Sequence, residues 1–67
     1  MYKKFEKLME ERGINPLKVS RDTGIATSTL SEWKLGKYTP KLDKIAILAK
    51  YFNVPIEYFL DGGENND

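Results

Sequence analysis

Five short helices and no strand are what this 67-residue chain predicts, and three observations carry that expectation. Apolar residues recur at three- and four-residue intervals instead of alternating. Asn15-Pro16 and Thr39-Pro40, each an N-cap type followed by proline, stand where two such stretches begin. Glycine or asparagine stands where the stretches end. A chain of this length forms one domain and buries roughly 60% of its unfolded surface. That suffices for a small bundle, but hardly for a deep catalytic pocket as well.

The first helix, from Tyr2, sets Tyr2, Phe5, Leu8 and Met9 on one face and Lys3, Lys4, Glu6, Lys7, Glu10 and Glu11 on the other. Gly13 stops it as a left-handed cap, with Ile14 folding back onto it. Asn15 and Pro16 read as N-cap and first helical residue of a second helix that runs to about Thr23. Its inward residues are Val19 and Thr23, and Ser20 is small where another helix passes closely. Gly24 breaks the run, and Ile25 follows as an apolar plug.

The third helix runs from Thr27 to Leu35, buries Leu30 and Trp33, and is capped by Gly36. It opens on three hydroxyl residues, Thr27, Ser28 and Thr29, which favour helix starts over helix interiors. Thr39-Pro40 starts the fourth helix, which reaches Phe52 with Leu42, Ile45, Ala46, Ala49 and Phe52 on one face. Asn53 ends it. Pro55 opens a last turn, "PIEYFL", whose Ile56, Phe59 and Leu60 close the core. The segment "DGGENND" has no apolar residue, so the domain is expected over 1–61 with a flexible acidic tail at 62–67. Trp33 belongs to the core by its spacing from Leu30, and Tyr2, Tyr51 and Tyr58 are packing or dimer-surface residues.

Composition removes several function classes. Apolar residues make up 40% and charged residues 31%, ordinary for a globular domain. Without cysteine there is no disulfide framework and no thiolate metal site. Without histidine the commonest general base and metal ligand is missing. Ser20 with Lys18 or Lys44 could be imagined as a hydrolytic pair, but nothing fixes that geometry, and no glycine-rich phosphate loop appears. No enzyme, no cofactor and no small-molecule ligand is expected. No run approaches the ~18 apolar residues that cross a membrane, and the N-terminus lacks a signal peptide's apolar stretch, so a cytoplasmic location is expected.

The net charge of +1 hides an asymmetry. Residues 1–50 carry eleven Lys/Arg against six Asp/Glu, whereas residues 51–67 carry four acids and no Lys/Arg. A basic face of this kind suits nucleic acid. A solvated surface followed by an acidic tail accounts for the same numbers.

The informative segment is the second helix, Gly24, Ile25 and the third helix. Two helices joined by so short a turn cross steeply, as in a helix-turn-helix unit. That geometry asks for a small residue, a glycine in the turn, an apolar residue after it and apolar positions three apart. Ser20, Gly24, Ile25, Leu30 and Trp33 supply them in order.

With these residues in place, Phe5 to Leu60 resembles the phage repressor and Cro-like helix-turn-helix family, also called the XRE family. The matching pieces are "LMEERGI", "TGIATSTLSEWKLGKYTP", "LDKIAILAKYFNV" and "PIEYFL". The resemblance implies a compact five-helix, lambda-repressor-like all-α domain that binds double-stranded DNA sequence-specifically as a transcriptional regulator, most readily a repressor. It puts Thr27, Ser28 and Glu32 at the family's base-reading positions in the major groove. Ser31, Lys34, Lys37, Tyr38 and Lys41 are its implied phosphate contacts. It further implies a homodimer on DNA, with Ile56, Tyr58 and Phe59 as dimer contacts.

Three positions depart from the family's pattern. Pro16 stands where a glutamine usually braces a phosphate contact, and Leu35 where an asparagine often precedes the glycine. Ala26 stands where serine or threonine usually caps the third helix, so Thr27 is expected to take over the cap. Pro16 and Leu35 also support an alternative, a protein-interaction module of antitoxin or antirepressor type on the same scaffold.

Overall fold

A computed structural model describes residues 1–60. The end of the expected domain at 61 and the acidic tail at 62–67 lie outside the described residues. Five helices follow in order: α1 (Tyr2–Arg12), α2 (Pro16–Thr23), α3 (Thr27–Lys34), α4 (Leu42–Phe52) and α5 (Glu57–Leu60), with no strand among the described residues. The all-α expectation holds.

Local chemistry sets most of the boundaries. Asn15 has extended dihedrals and its Oδ1 accepts from the Lys18 N–H at 3.0 Å, which fixes the start of α2 at Pro16. α1 ends with Gly13 at φ 66° and the Ile14 N–H donating back to the Met9 carbonyl at 3.0 Å. That is the bond which satisfies a carbonyl the helix leaves open. Asn53 does the same for α4 at φ 59°, with the Val54 N–H on the Ala49 carbonyl at 2.9 Å.

The core is centred on three rings from three helices. Phe5 is fully buried, stacked on Trp33 at 5.1 Å and edge-on to Phe52 at 5.9 Å. Val19, Ile25, Leu30, Ile45, Leu48 and Phe59 pack around them. Each such side chain contributes roughly 1.5–3 kcal/mol on full burial. Two basic side chains tie the outside together. Lys4 donates to the Tyr58 carbonyl at 2.9 Å, and Arg12 donates to the Phe52 carbonyl while its guanidinium lies 5.5 Å from the Phe52 ring centre.

Three expectations need correction. The fourth helix starts at Leu42, not at Pro40: Lys41 is the N-cap, at φ −85° and ψ 174°. Pro40 is buried, where it lines a cavity of ≈ 10 Å³ with Trp33, Tyr38 and Leu48, so it packs as a wedge. Asp43 serves the first turn instead, its Oδ1 accepting from the Lys44 N–H at 2.8 Å. The inward face is also different. Leu42 is 61% exposed, and Leu48, 1% exposed, takes an inward place. Finally, Leu60 is half exposed at the end of α5; Phe59 is the residue of that turn that closes the core.

Candidate nucleic-acid interface

The turn between α2 and α3 positions everything that follows. Gly24 takes φ 83° and its N–H donates to the Ser20 carbonyl at 2.8 Å, ending α2. The Thr23 hydroxyl donates to the Val19 carbonyl at 2.7 Å and accepts from the Ile25 N–H at 3.2 Å. One side chain thereby spans the last turn of α2 and the first residue beyond the glycine. Ile25 is buried, so the chain is pinned on both sides of Gly24. Periodicity marks Thr23 only as an inward residue and does not disclose this role. A threonine directly before a turn glycine is the signal that could have found it.

Ala26 is the N-cap of α3, at φ −61° and ψ 144°, and provides no side-chain bond. Its carbonyl accepts from the N–H groups of Thr29 and Leu30 at 3.1 and 3.2 Å. Thr27 is therefore the first helical residue and does not take over the cap, contrary to expectation. The extended dihedrals a cap needs fall on Ala26, fixed by the buried Ile25 before it.

At about 100° per residue, Leu30 and Trp33 share one face of α3 and are buried at 2% and 5% exposure. Thr27, Ser28, Ser31 and Glu32 are exposed on the opposite face. Leu35, the C-cap residue, joins the same stripe at 67% exposure. From Thr27 to Leu35 the stripe spans about 12 Å at 1.5 Å per residue. The hydroxyls of Thr27, Ser28 and Ser31 and the Glu32 carboxylate make no hydrogen bond or ion pair with the described residues.

Lysines gather where α3 ends. Lys34 is exposed in its last turn, Lys37 follows Gly36, and Lys41 is exposed at the start of α4. The Lys37 N–H donates to the Glu32 carbonyl at 2.8 Å, which folds the loop back along the helix. Tyr38 is half-buried, its ring against the core beside Trp33. Of the sequence-predicted DNA residues, Thr27, Ser28, Ser31, Glu32, Lys34, Lys37 and Lys41 are exposed, whereas Tyr38 is partly withdrawn into packing.

The helix before the turn has cations of its own. Lys18 and Arg21 are exposed on α2. The Lys18 ammonium lies 3.1 Å from the Asp22 carboxylate, which also accepts from the Tyr51 hydroxyl of α4. The Tyr51 bond, then that of Lys18, holds the Asp22 carboxyl below its ordinary range. The same bond to Asp22 raises the Tyr51 phenol. This clasp fixes α2 against α4, and local sequence patterns do not disclose it because its two ends lie 29 residues apart.

At the far end, Ile56 and Tyr58 are half-buried, whereas Phe59 is 1% exposed and has almost no surface left for a second chain. Among the described residues no cluster of acids could hold a metal ion, and no helix is long and apolar enough to cross a membrane.

Two helices joined across a glycine turn, with one solvent-facing stripe on the second, have the form of a helix-turn-helix domain, and comparison with known proteins agrees. Residues 2–64 match the family model described as "Helix-turn-helix domain". A curated relative, the cryptic phage CTXphi transcriptional repressor RstR of Vibrio cholerae, is 32% identical over 63 residues. That match covers 94% of this chain and 57% of the relative, so the chain corresponds to little more than half of that protein. No solved structure matches. The chain belongs to the helix-turn-helix domain family, of the phage-repressor type that its motifs resemble.

Proposed function

We propose that this chain binds double-stranded DNA sequence-specifically and regulates transcription, acting as a repressor, with α3 lying in the major groove. One observation supports this above the rest. The stripe Thr27, Ser28, Ser31 and Glu32 is exposed and unbonded on the helix whose other face, Leu30 and Trp33, is buried, and three exposed lysines, Lys34, Lys37 and Lys41, follow closely in the chain. The major groove, about 12 Å wide, admits one α-helix. Thr27 and Ser28 are short enough to let the helix end sit close, and Glu32 can accept from cytosine N4. Ser31 and the three lysines supply phosphate contacts, which add affinity without sequence information. Repression follows from the name of the relative, itself a transcriptional repressor.

Such heads commonly bind as dimers on half-sites about one helical turn apart. Ile56 and Tyr58, half-buried on the surface around α5, are the residues available for that contact.

Selection of duplexes from a random pool tests the reading. The chain should enrich a defined site. Replacing Ser28 and Glu32 with alanine should abolish the preference while leaving the melting curve unchanged, since neither side chain is buried or bonded. Loss of the Glu32 contact should cost about 1–3 kcal/mol at one base pair. If no duplex is enriched, or the variant keeps its preference, the reading fails.

A further inference from the structure

We infer that the outward face of α4 is a contact surface for a second copy of this chain, joined antiparallel about a two-fold axis; this is independent of the DNA-binding reading above. Asp43, Ala46, Ile47 and Lys50 stand at i, i+3, i+4 and i+7 of that helix, so they share an arc of about 100°. The opposite face, Ile45, Leu48, Ala49 and Phe52, is buried. Asp43 and Lys50 are exposed and Ala46 is half-buried. Ile47 is 41% exposed and lies outside the core cluster.

The two charges have a use within their own helix. An acid in the first turn and a base in the last complement the helix dipole. That use leaves Ile47 unexplained, since an apolar side chain at the outward pole gains nothing from either charge. Nor do the charges serve each other. Seven residues separate them by about 10.5 Å along the axis, and neither side chain forms an ion pair with the described residues.

A second α4 running the other way accounts for all four residues. With the two-fold axis midway between Ala46 and Ile47, Asp43 falls opposite the partner's Lys50, and Lys50 opposite the partner's Asp43. Ile47 meets the partner's Ala46, and the small alanine lets the helix axes approach to the roughly 8–10 Å of packed helices. A two-fold contact requires such a surface, one that is its own complement. Along 43–50 the order is acid, small, large, base, and reversal sets each charge against its opposite. That order selects a second copy over an unrelated protein. One helix pair buries less than a standard interface, so the association is weak and shows only in concentrated solution.

Sedimentation equilibrium of the chain without DNA, up to about 1 mM, tests this. The native chain should show a reversible monomer–dimer equilibrium. Asp43→Lys and Lys50→Glu should each weaken it roughly tenfold, because two favourable pairs become two unfavourable ones, each the size of an exposed ion pair. An equimolar mixture of the two variants should recover the native association, since one chain then carries two bases and the other two acids. The doubly reversed chain should recover it too, which also shows that the reversals leave the fold intact. A native chain that stays monomeric overturns the inference, as does dimerisation that neither reversal weakens. Loss that neither the mixture nor the double reversal recovers overturns it as well.

Discussion

Gly24 offers the sharpest test of how the turn is built. It sits at φ 83° and ψ 0°, and a Cβ added there would meet nothing within 4 Å. Gly24→Ala therefore brings no clash, only the penalty of placing an L side chain in the left-handed region, about 1–2 kcal/mol. Reduced freedom of the unfolded chain offsets about 0.4–1 kcal/mol of that. The net loss should be about 1 kcal/mol, or a fall in Tm of roughly 4–8 °C for a domain of this size. Gly24→Asn should lose less, since asparagine tolerates this conformation. Urea and thermal unfolding of the three proteins measure the series, with the urea m-value unchanged. Duplex preference, measured well below Tm, should survive, because the bond from Gly24 to Ser20 and the Thr23 clasp both remain possible. A neutral Gly24→Ala, a loss above about 4 kcal/mol, or asparagine doing worse than alanine would refute this account of the turn.

Two further outcomes follow from the charges. Replacing Lys37 and Lys41 together with glutamine should make the slope of log affinity against log salt shallower by about 1.8, at about 0.9 for each phosphate no longer neutralised, without moving Tm; an unchanged slope removes them from the interface. Tyr51→Phe should lower stability at neutral pH by deleting the bond to Asp22. That bond needs an ionised carboxyl and a protonated phenol. Asp22 is lowered, so its contribution is present above about pH 4 and is lost as pH falls through its folded value. Tyr51 is raised, so its contribution is present below pH 10.0 and is lost as pH rises past that. The difference in Tm between the native chain and Tyr51→Phe should close at both ends; a gap that persists in strong acid contradicts the clasp.

What can be read from the sequence is whatever nearest neighbours decide. Asn15-Pro16 starts α2 at the expected residue because cap and proline act within one turn. Gly13, Gly24 and Asn53 end their helices because the left-handed conformation is a property of one residue. Thr39-Pro40 carries the same local signal and misleads, since Pro40 is drawn into the core beside Trp33 and Tyr38, a demand from residues distant in space from its own turn. The exchange of Leu42 for Leu48 has that origin too: periodicity gives the face but not where the core ends. Lys4, Arg12 and Tyr51 bond to partners 54, 40 and 29 residues away, and no local pattern announces such pairs. For the candidate interface, the outward stripe of α3 is legible because Leu30 and Trp33 fix the phase of the helix.

The division of labour within α3 explains its unusual opening. A serine or threonine cap is worth about 1 kcal/mol, and Ala26 forgoes it. The helix is held by burial instead, through Ile25 ahead of it and Leu30 and Trp33 along it. Because the extended cap dihedrals rest on Ala26, the hydroxyls of Thr27 and Ser28 are not drawn into ending the helix and stay unbonded at its leading edge. Hydroxyls that would be poor choices for stability are thus placed where stability does not depend on them. Substitutions along Thr27, Ser28, Ser31 and Glu32 consequently test the proposed recognition with the fold held constant, which is the condition under which a change in duplex preference can be read as a change in contacts.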